Sequence, residues 1–163
     1  MTRTRMASKA ICITSGGQTG VDRACLAWAI RRGLPHGGWC PKGRRAEDGT
    51  IPFRYRLRET PSTRYAQRTA WNVQNSDATV IFSQAPKLAG GSQRTLECCR
   101  DSGKPVLHLV SQIFTVSESA LLLGDFLRGH HVRVLNVAGP RRSQEPRGGK
   151  FARSVLDATF GFT

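Results

Sequence analysis

Five short apolar runs alternate with amphipathic stretches along the chain, and that alternation limits the fold most severely. Lys9 to Thr14, His36 to Cys40, Ala78 to Phe82, Pro105 to Val110 and Val132 to Val137 read as strands. Helical spacing fills the gaps. In Thr19 to Arg32, Val21, Ala24, Cys25 and Trp28 share one face, and Gly33 supplies the stop. Ser62 to Asn75, the stretch after Gly90-Gly91-Ser92 to about Ser102, Ser117 to Gly129 (with Ser117 as N-cap) and Lys150 to about Phe160 are the other expected helices. Strand and helix in alternation predict a parallel sheet covered on both faces, an α/β fold. Five strands suit a doubly wound order 2-1-3-4-5, whose switch point lies between the first and third strands; ligands bind there, outside the carboxyl ends.

The 163 residues suffice for one domain, here 1–163, with 1–8 expected as a flexible basic N-terminus. No apolar run approaches the ~20 residues of a membrane span. The apolar stretch after the basic opening is too short for a secretory signal. Five cysteines without metal or disulfide spacing read as reduced thiols, so the cytoplasm is the expected location and no metal site is expected. The net charge of +14 favours an anionic partner. Nucleic acid ranks last among these, because no recognised nucleic-acid motif is present.

Two glycine clusters stand at strand ends and open helices: Ser15-Gly16-Gly17-Gln18-Thr19-Gly20 and Gly90-Gly91-Ser92. Glycine lets a ligand approach the backbone closely, and a helix N-terminus adds free N–H donors and partial positive charge. Placed together at the switch point, the two ends suit a phosphate or other oxyanion. Asp22, in the first helical turn, either complements the helix dipole or accepts a hydrogen bond from a ligand. Glu97 is either a solvated helix residue or a general acid/base. Lys42 and Arg44, on the loop after the second strand, can reach the same cleft; Asn136 and Arg141, at the fifth strand's end, are further contacts. Arg54, Arg56 and Arg58 alternate, so they would share one face. The stretch from Pro41 to Pro61 lacks periodicity and reads as a long functional loop with some order from its aromatics.

Several segments resemble the family of putative molybdenum carrier proteins. They are Ser15 to Ala24, Gly37 to Gly49, Leu57 to Pro61, Arg68-Thr69 with Trp71-Asn72-Val73, Ala89 to Ser92 with Thr95-Leu96-Glu97, and Leu135 to Arg141. The resemblance implies a Rossmann-like three-layer sandwich within the superfamily that includes the lysine-decarboxylase-like phosphoribohydrolases. It implies binding of molybdenum cofactor (molybdopterin) or a related phosphorylated nucleotide-like ligand. It also implies a homodimer or homotetramer and a molybdoenzyme as recipient. Carried onto this chain, the ligand cleft comprises Gly16, Gly17, Gln18, Thr19, Gly20, Asp22, Lys42, Arg44, Gly90, Gly91, Ser92, Thr95, Glu97 and Asn136. The phosphoribohydrolases carry P-G-G-x-G-T-x-x-E; here Ala89-Gly90-Gly91-Ser92-Gln93-Arg94-Thr95-Leu96-Glu97 keeps the Gly-Gly and the Glu but not the leading Pro or the second Gly-Thr. A non-catalytic carrier is therefore expected, with a nucleotide-processing enzyme using Glu97 or Asp22 as the alternative.

Overall fold

A computed structural model describes residues 10–162, so the expectation for 1–8 lies outside the described residues. The elements in chain order are β1 (Cys12–Thr14), α1 (Val21–Arg31), β2 (His36–Gly37), β3 (Trp39–Cys40), β4 (Arg45–Ala46), β5 (Gly49–Thr50), β6 (Arg58–Glu59) and α2 (Tyr65–Gln74). They continue with β7 (Ala78–Ser83), α3 (Gly90–Ser102), β8 (Val106–Val110), α4 (Val116–Gly129), β9 (Val134–Ala138) and α5 (Gly148–Phe160). Five strands form one parallel sheet in the order β2-β1-β9-β7-β8. The layers are those of a Rossmann-like α/β sandwich: α5 packs between α1 and α4 on one face, and α2 packs with α3 on the other.

The expected order 2-1-3-4-5 needs correction. By sequence rank the sheet runs 2-1-5-3-4, because the last strand enters between the first and the third. All five strands are apolar runs with little to distinguish them, so periodicity cannot say which two flank the central one. Counted from β9 instead, the same sheet reads 3-2-1-4-5, the common doubly wound order. The final βα unit thus holds the place of a first one, and the switch point falls between β9 and β7.

Three local expectations also change. The second strand is two strands: Gly38, at φ 127°, breaks it, so β3 leaves the sheet and pairs with β6. The presumed loop from Pro41 to Pro61 holds the β4–β5 hairpin and β6 around a small core of Leu26, Cys40, Ala46, Ile51 and Tyr55. Thr115, not Ser117, caps α4. Its hydroxyl accepts the Glu118 N–H at 3.1 Å, and the Glu118 carboxylate accepts the Thr115 N–H at 3.2 Å, a complete capping box. Gly103 ends α3 in the left-handed conformation, as its position foretells.

The main core lies between α1, α5, α4 and the sheet, with Ile13, Trp28, Phe82, Leu109, Leu123, Leu135 and Leu156 fully buried. Burying each such side chain contributes about 2 kcal/mol. Trp28 is tied at its polar end by Asp157, whose carboxylate accepts the indole N–H at 2.8 Å. Among the described residues no helix is long and apolar enough to cross a membrane.

Candidate functional site

A cleft opens at the carboxyl edge of the sheet, beside the switch point. Four segments line it: the β1–α1 turn (Gly16, Gln18, Asp22), α2 (Arg68, Thr69, Asn72), the start of α3 (Gly91, Ser92, Thr95), and the end of β9 with its loop (Asn136 to Arg141, Gln144). Its cavity volume is about 50 Å³. Since one water needs ~10–15 Å³ of such space, the cavity has room for a small tetrahedral ion. Gly16 and Gly91 therefore share one crevice although β9 separates their strands. The β9 strand end bridges the two turns.

The two helix ends are not equivalent. At α3 the N-cap Ala89 supplies no side-chain cap, so the first-turn N–H groups remain free to donate. At α1 the chain closes the end with its own backbone. A Cβ on Gly20, where φ is 81°, would lie 2.7 Å from the Pro140 carbonyl oxygen and 2.8 Å from the Arg142 nitrogen. Thr19 belongs to that closure: its hydroxyl bonds the Glu47 carboxylate and accepts the Arg142 N–H at 3.1 Å. Glu47 also accepts the Ser143 hydroxyl at 2.6 Å, and these hydrogen bonds hold its carboxyl below the usual range. Arg23 grips Asp48 through both guanidinium nitrogens, so the 41–50 segment is fastened to α1.

Inside the cleft the polar groups form one cluster. Gln18 Oε1 accepts the N–H groups of Thr19 at 3.1 Å and Glu47 at 2.9 Å, which fixes the amide orientation. Gln18 Nε2 is then buried without a protein partner. Asp22 Oδ2 accepts the Gln18 N–H at 3.2 Å and meets Arg68 Nη1 at 3.3 Å. Burial pushes the Asp22 carboxyl up, against the opposing pull of Arg68 and Gln18. Arg68 Nε is likewise buried without a partner. The guanidinium lies directly over Gly16, where a Cβ would sit 1.6 Å from Arg68 Nη1, so only glycine admits it. Asn136 donates to the Thr79 hydroxyl at 3.2 Å beneath the cleft. An unpaired buried donor costs about 1–3 kcal/mol, and both of these donors belong to residues that line the cleft.

The remaining expected residues fall elsewhere. Arg44 turns inward: its guanidinium donates to the carbonyls of Ile51, Pro52, Tyr55 and, at 3.4 Å, Leu57. It holds the β4–β6 segment together and does not line the cleft. Arg44→Lys replaces a planar fork with a point charge and is expected to lower stability by about 2 kcal/mol, read as a drop in melting temperature. Lys42 is exposed outside the cleft lining. Gly17 packs under Leu57 and Ile51 and Gly90 lies outside the lining. Glu97 is exposed on α3, accepting the Gln93 side-chain N–H at 3.1 Å. Conversely, Arg68, Thr69, Asn72 and Gln144 line the cleft without having been expected as ligand contacts. Helical spacing suggests Ala66, Ala70 and Val73 as the inner face of α2, but the buried residues are Arg68, Thr69, Asn72 and Val73.

Fold and cleft together define a Rossmann-like domain whose strand order is permuted about its switch point. The model of the circularly permutated YpsA SLOG family matches residues 13–160. The chain belongs to that family. Its fold matches the crystal structure of a putative molybdenum carrier protein from Syntrophus aciditrophicus SB with a TM-score of 0.90. The two sequences are 42% identical over 92% of this chain and 95% of the other. A search of curated proteins finds no match.

Proposed function

We propose that the protein carries molybdenum, and that it does so by holding a tetrahedral oxyanion, either molybdate or the phosphate end of molybdopterin, in the carboxyl-edge cleft. The observation that carries this reading is the pair of buried, unpartnered donors, Gln18 Nε2 and Arg68 Nε, on residues that line the cleft beside the uncapped start of α3. Both fully buried side-chain atoms without a partner there are donors, which suits an oxyanion. The similar crystal structure named as a molybdenum carrier supports the cargo. The cleft's volume of about 50 Å³ suits the anionic end of such a ligand. When bound, a molybdopterin would supply the metal through its own dithiolene; this chain's residues would grip the phosphate and shield it from water.

Glu97 outside the lining, and Asp22 engaged with Arg68, support a carrier over a phosphoribohydrolase. Exposed Ile113, Leu121 and Leu122 beside and on α4 offer an apolar surface for a homodimer or homotetramer, and a molybdoenzyme would be the recipient of the cargo. The test is calorimetric titration of dialysed protein with molybdate and with inorganic phosphate. One site per chain is expected. Gln18→Glu keeps both accepted N–H bonds but sets a carboxylate oxygen where the free donor stood. It is expected to weaken binding by at least about thirtyfold. Unchanged affinity in that variant would remove Gln18 from the site, and absence of binding by the wild type would defeat the proposal.

A further inference from the structure

A second cleft, about 380 Å³ in volume, lies across Asn72 from the first. It lies where β3 leaves the sheet at Gly38 to pair with β6. Thr14 and His36 floor it; Trp39, Arg56, Arg58 and Asn75 wall it. The three alternating arginines do not share one face as their spacing predicts, because Arg54 lies in a turn. Arg56 and Arg58 enter this cleft, whereas Arg54 sits over the Tyr55 ring at 4.9 Å and donates to its hydroxyl. Among the described residues neither the Arg56 nor the Arg58 guanidinium makes a hydrogen bond or an ion pair. The Arg58 guanidinium lies 5.9 Å from the centre of the Trp39 ring. Trp71 meets that indole edge-on at 4.7 Å and fixes its plane. His36 Nε2 accepts the Arg56 N–H at 3.1 Å, which leaves the imidazole proton on Nδ1 as another donor.

A fixed indole, two unpaired guanidiniums and hydroxyl and amide groups, in a volume typical of small-ligand pockets, match a flat heteroaromatic ring that bears a phosphate. We infer that this second cleft binds a nucleoside monophosphate, with the base against Trp39 and the phosphate between Arg56 and Arg58. A second copy of the chain fits less well there, since a twofold contact would bring four guanidiniums together on a protein of net charge +14.

The full-length protein, dialysed at low salt, is titrated with AMP, with UMP and with inorganic phosphate, following tryptophan fluorescence. AMP is expected to quench saturably, UMP more weakly, and phosphate alone little. Arg56→Ala and Arg58→Ala, both at exposed positions, are expected to weaken AMP by about tenfold or more each while leaving molybdate binding at the first cleft unchanged. No saturable response to either nucleotide up to about 5 mM overturns the inference. So does AMP affinity that survives the double substitution. Release of a dimer by Arg58→Ala, with no nucleotide response, assigns the surface to self-association instead and overturns it as well. Because Arg56 and Arg58 do not line the first cleft, failure here leaves the oxyanion reading untouched, and failure of molybdate binding leaves this one standing.

Discussion

Asp22→Asn protein is expected to bind oxyanions about tenfold more tightly than the wild type. The Asp22 carboxylate is buried in the cleft wall, 3.3 Å from Arg68 and hydrogen-bonded to the Gln18 N–H. Its charge opposes any anion that the neighbouring donors attract. Two unit charges ~6 Å apart repel by about 3 kcal/mol at an effective dielectric of ~20, and solvent in the open mouth reduces that figure. The carboxamide keeps an oxygen for the Gln18 N–H and removes the charge. The pH dependence follows with a definite sign. Burial raises the folded-state pKa of Asp22 above its ordinary 3.8. Stability from this group is therefore fullest below the unfolded value and declines as pH rises through the folded one. Anion affinity in the wild type should rise as pH falls through that same interval, and Asp22→Asn should abolish the rise. Sulfate is a suitable probe because its own charge is constant there. Calorimetry across the interval checks both statements, and equal sulfate affinity in the two proteins at neutral pH would contradict them.

Gly38→Ala is expected to lower stability by about 4 kcal/mol, with the melting temperature falling by roughly 12 °C. Gly38 has φ 127°, which L side chains rarely adopt, and its added Cβ would stand 2.2 Å from the Ser15 carbonyl oxygen and 2.9 Å from the Ser15 nitrogen. Both obstacles are backbone. Neither can retreat without breaking the bond from the Ser15 N–H to the Gly37 carbonyl, 3.1 Å, where β1 and β2 end. Gly103→Ala is the contrast: φ is positive there too, at 66°, but nothing lies within 4 Å of the added carbon. That substitution should cost only about 1 kcal/mol. Calorimetric melting of the two variants separates steric blockage from simple left-handed strain; similar losses would refute the packing account of Gly38.

The sequence discloses the parts of this cleft that depend on local backbone. Gly16-Gly17 and Gly90-Gly91 end strands and open helices, and no other residue type permits what Gly16 does under Arg68. It does not disclose what depends on strand order. Since the β9 run resembles the other four, nothing local announces that it enters between β1 and β7, although Asn136 and Arg141 at its carboxyl end are expected at the cleft and do line it. Arginine presents a different difficulty. Arg44 is expected at the cleft and Arg68 is not, yet Arg44 closes a cage of carbonyls and Arg68 lies across a glycine beside a buried carboxylate. Only the spatial positions of distant acceptors separate them. Gly38 looked like an interior residue of a strand, and its φ angle instead parts the sheet where the second cleft lies.

The proposed function requires one oxyanion between the Gly16 turn and the N-terminus of α3, near Gln18 and Arg68. Crystals soaked in tungstate, a heavy analogue of molybdate, test it directly through anomalous scattering. The expected result is one strong peak per chain within hydrogen-bonding distance of Gln18 Nε2, Arg68 Nε and the first N–H groups of α3. A peak only among the surface arginines, with that cleft empty, would contradict it.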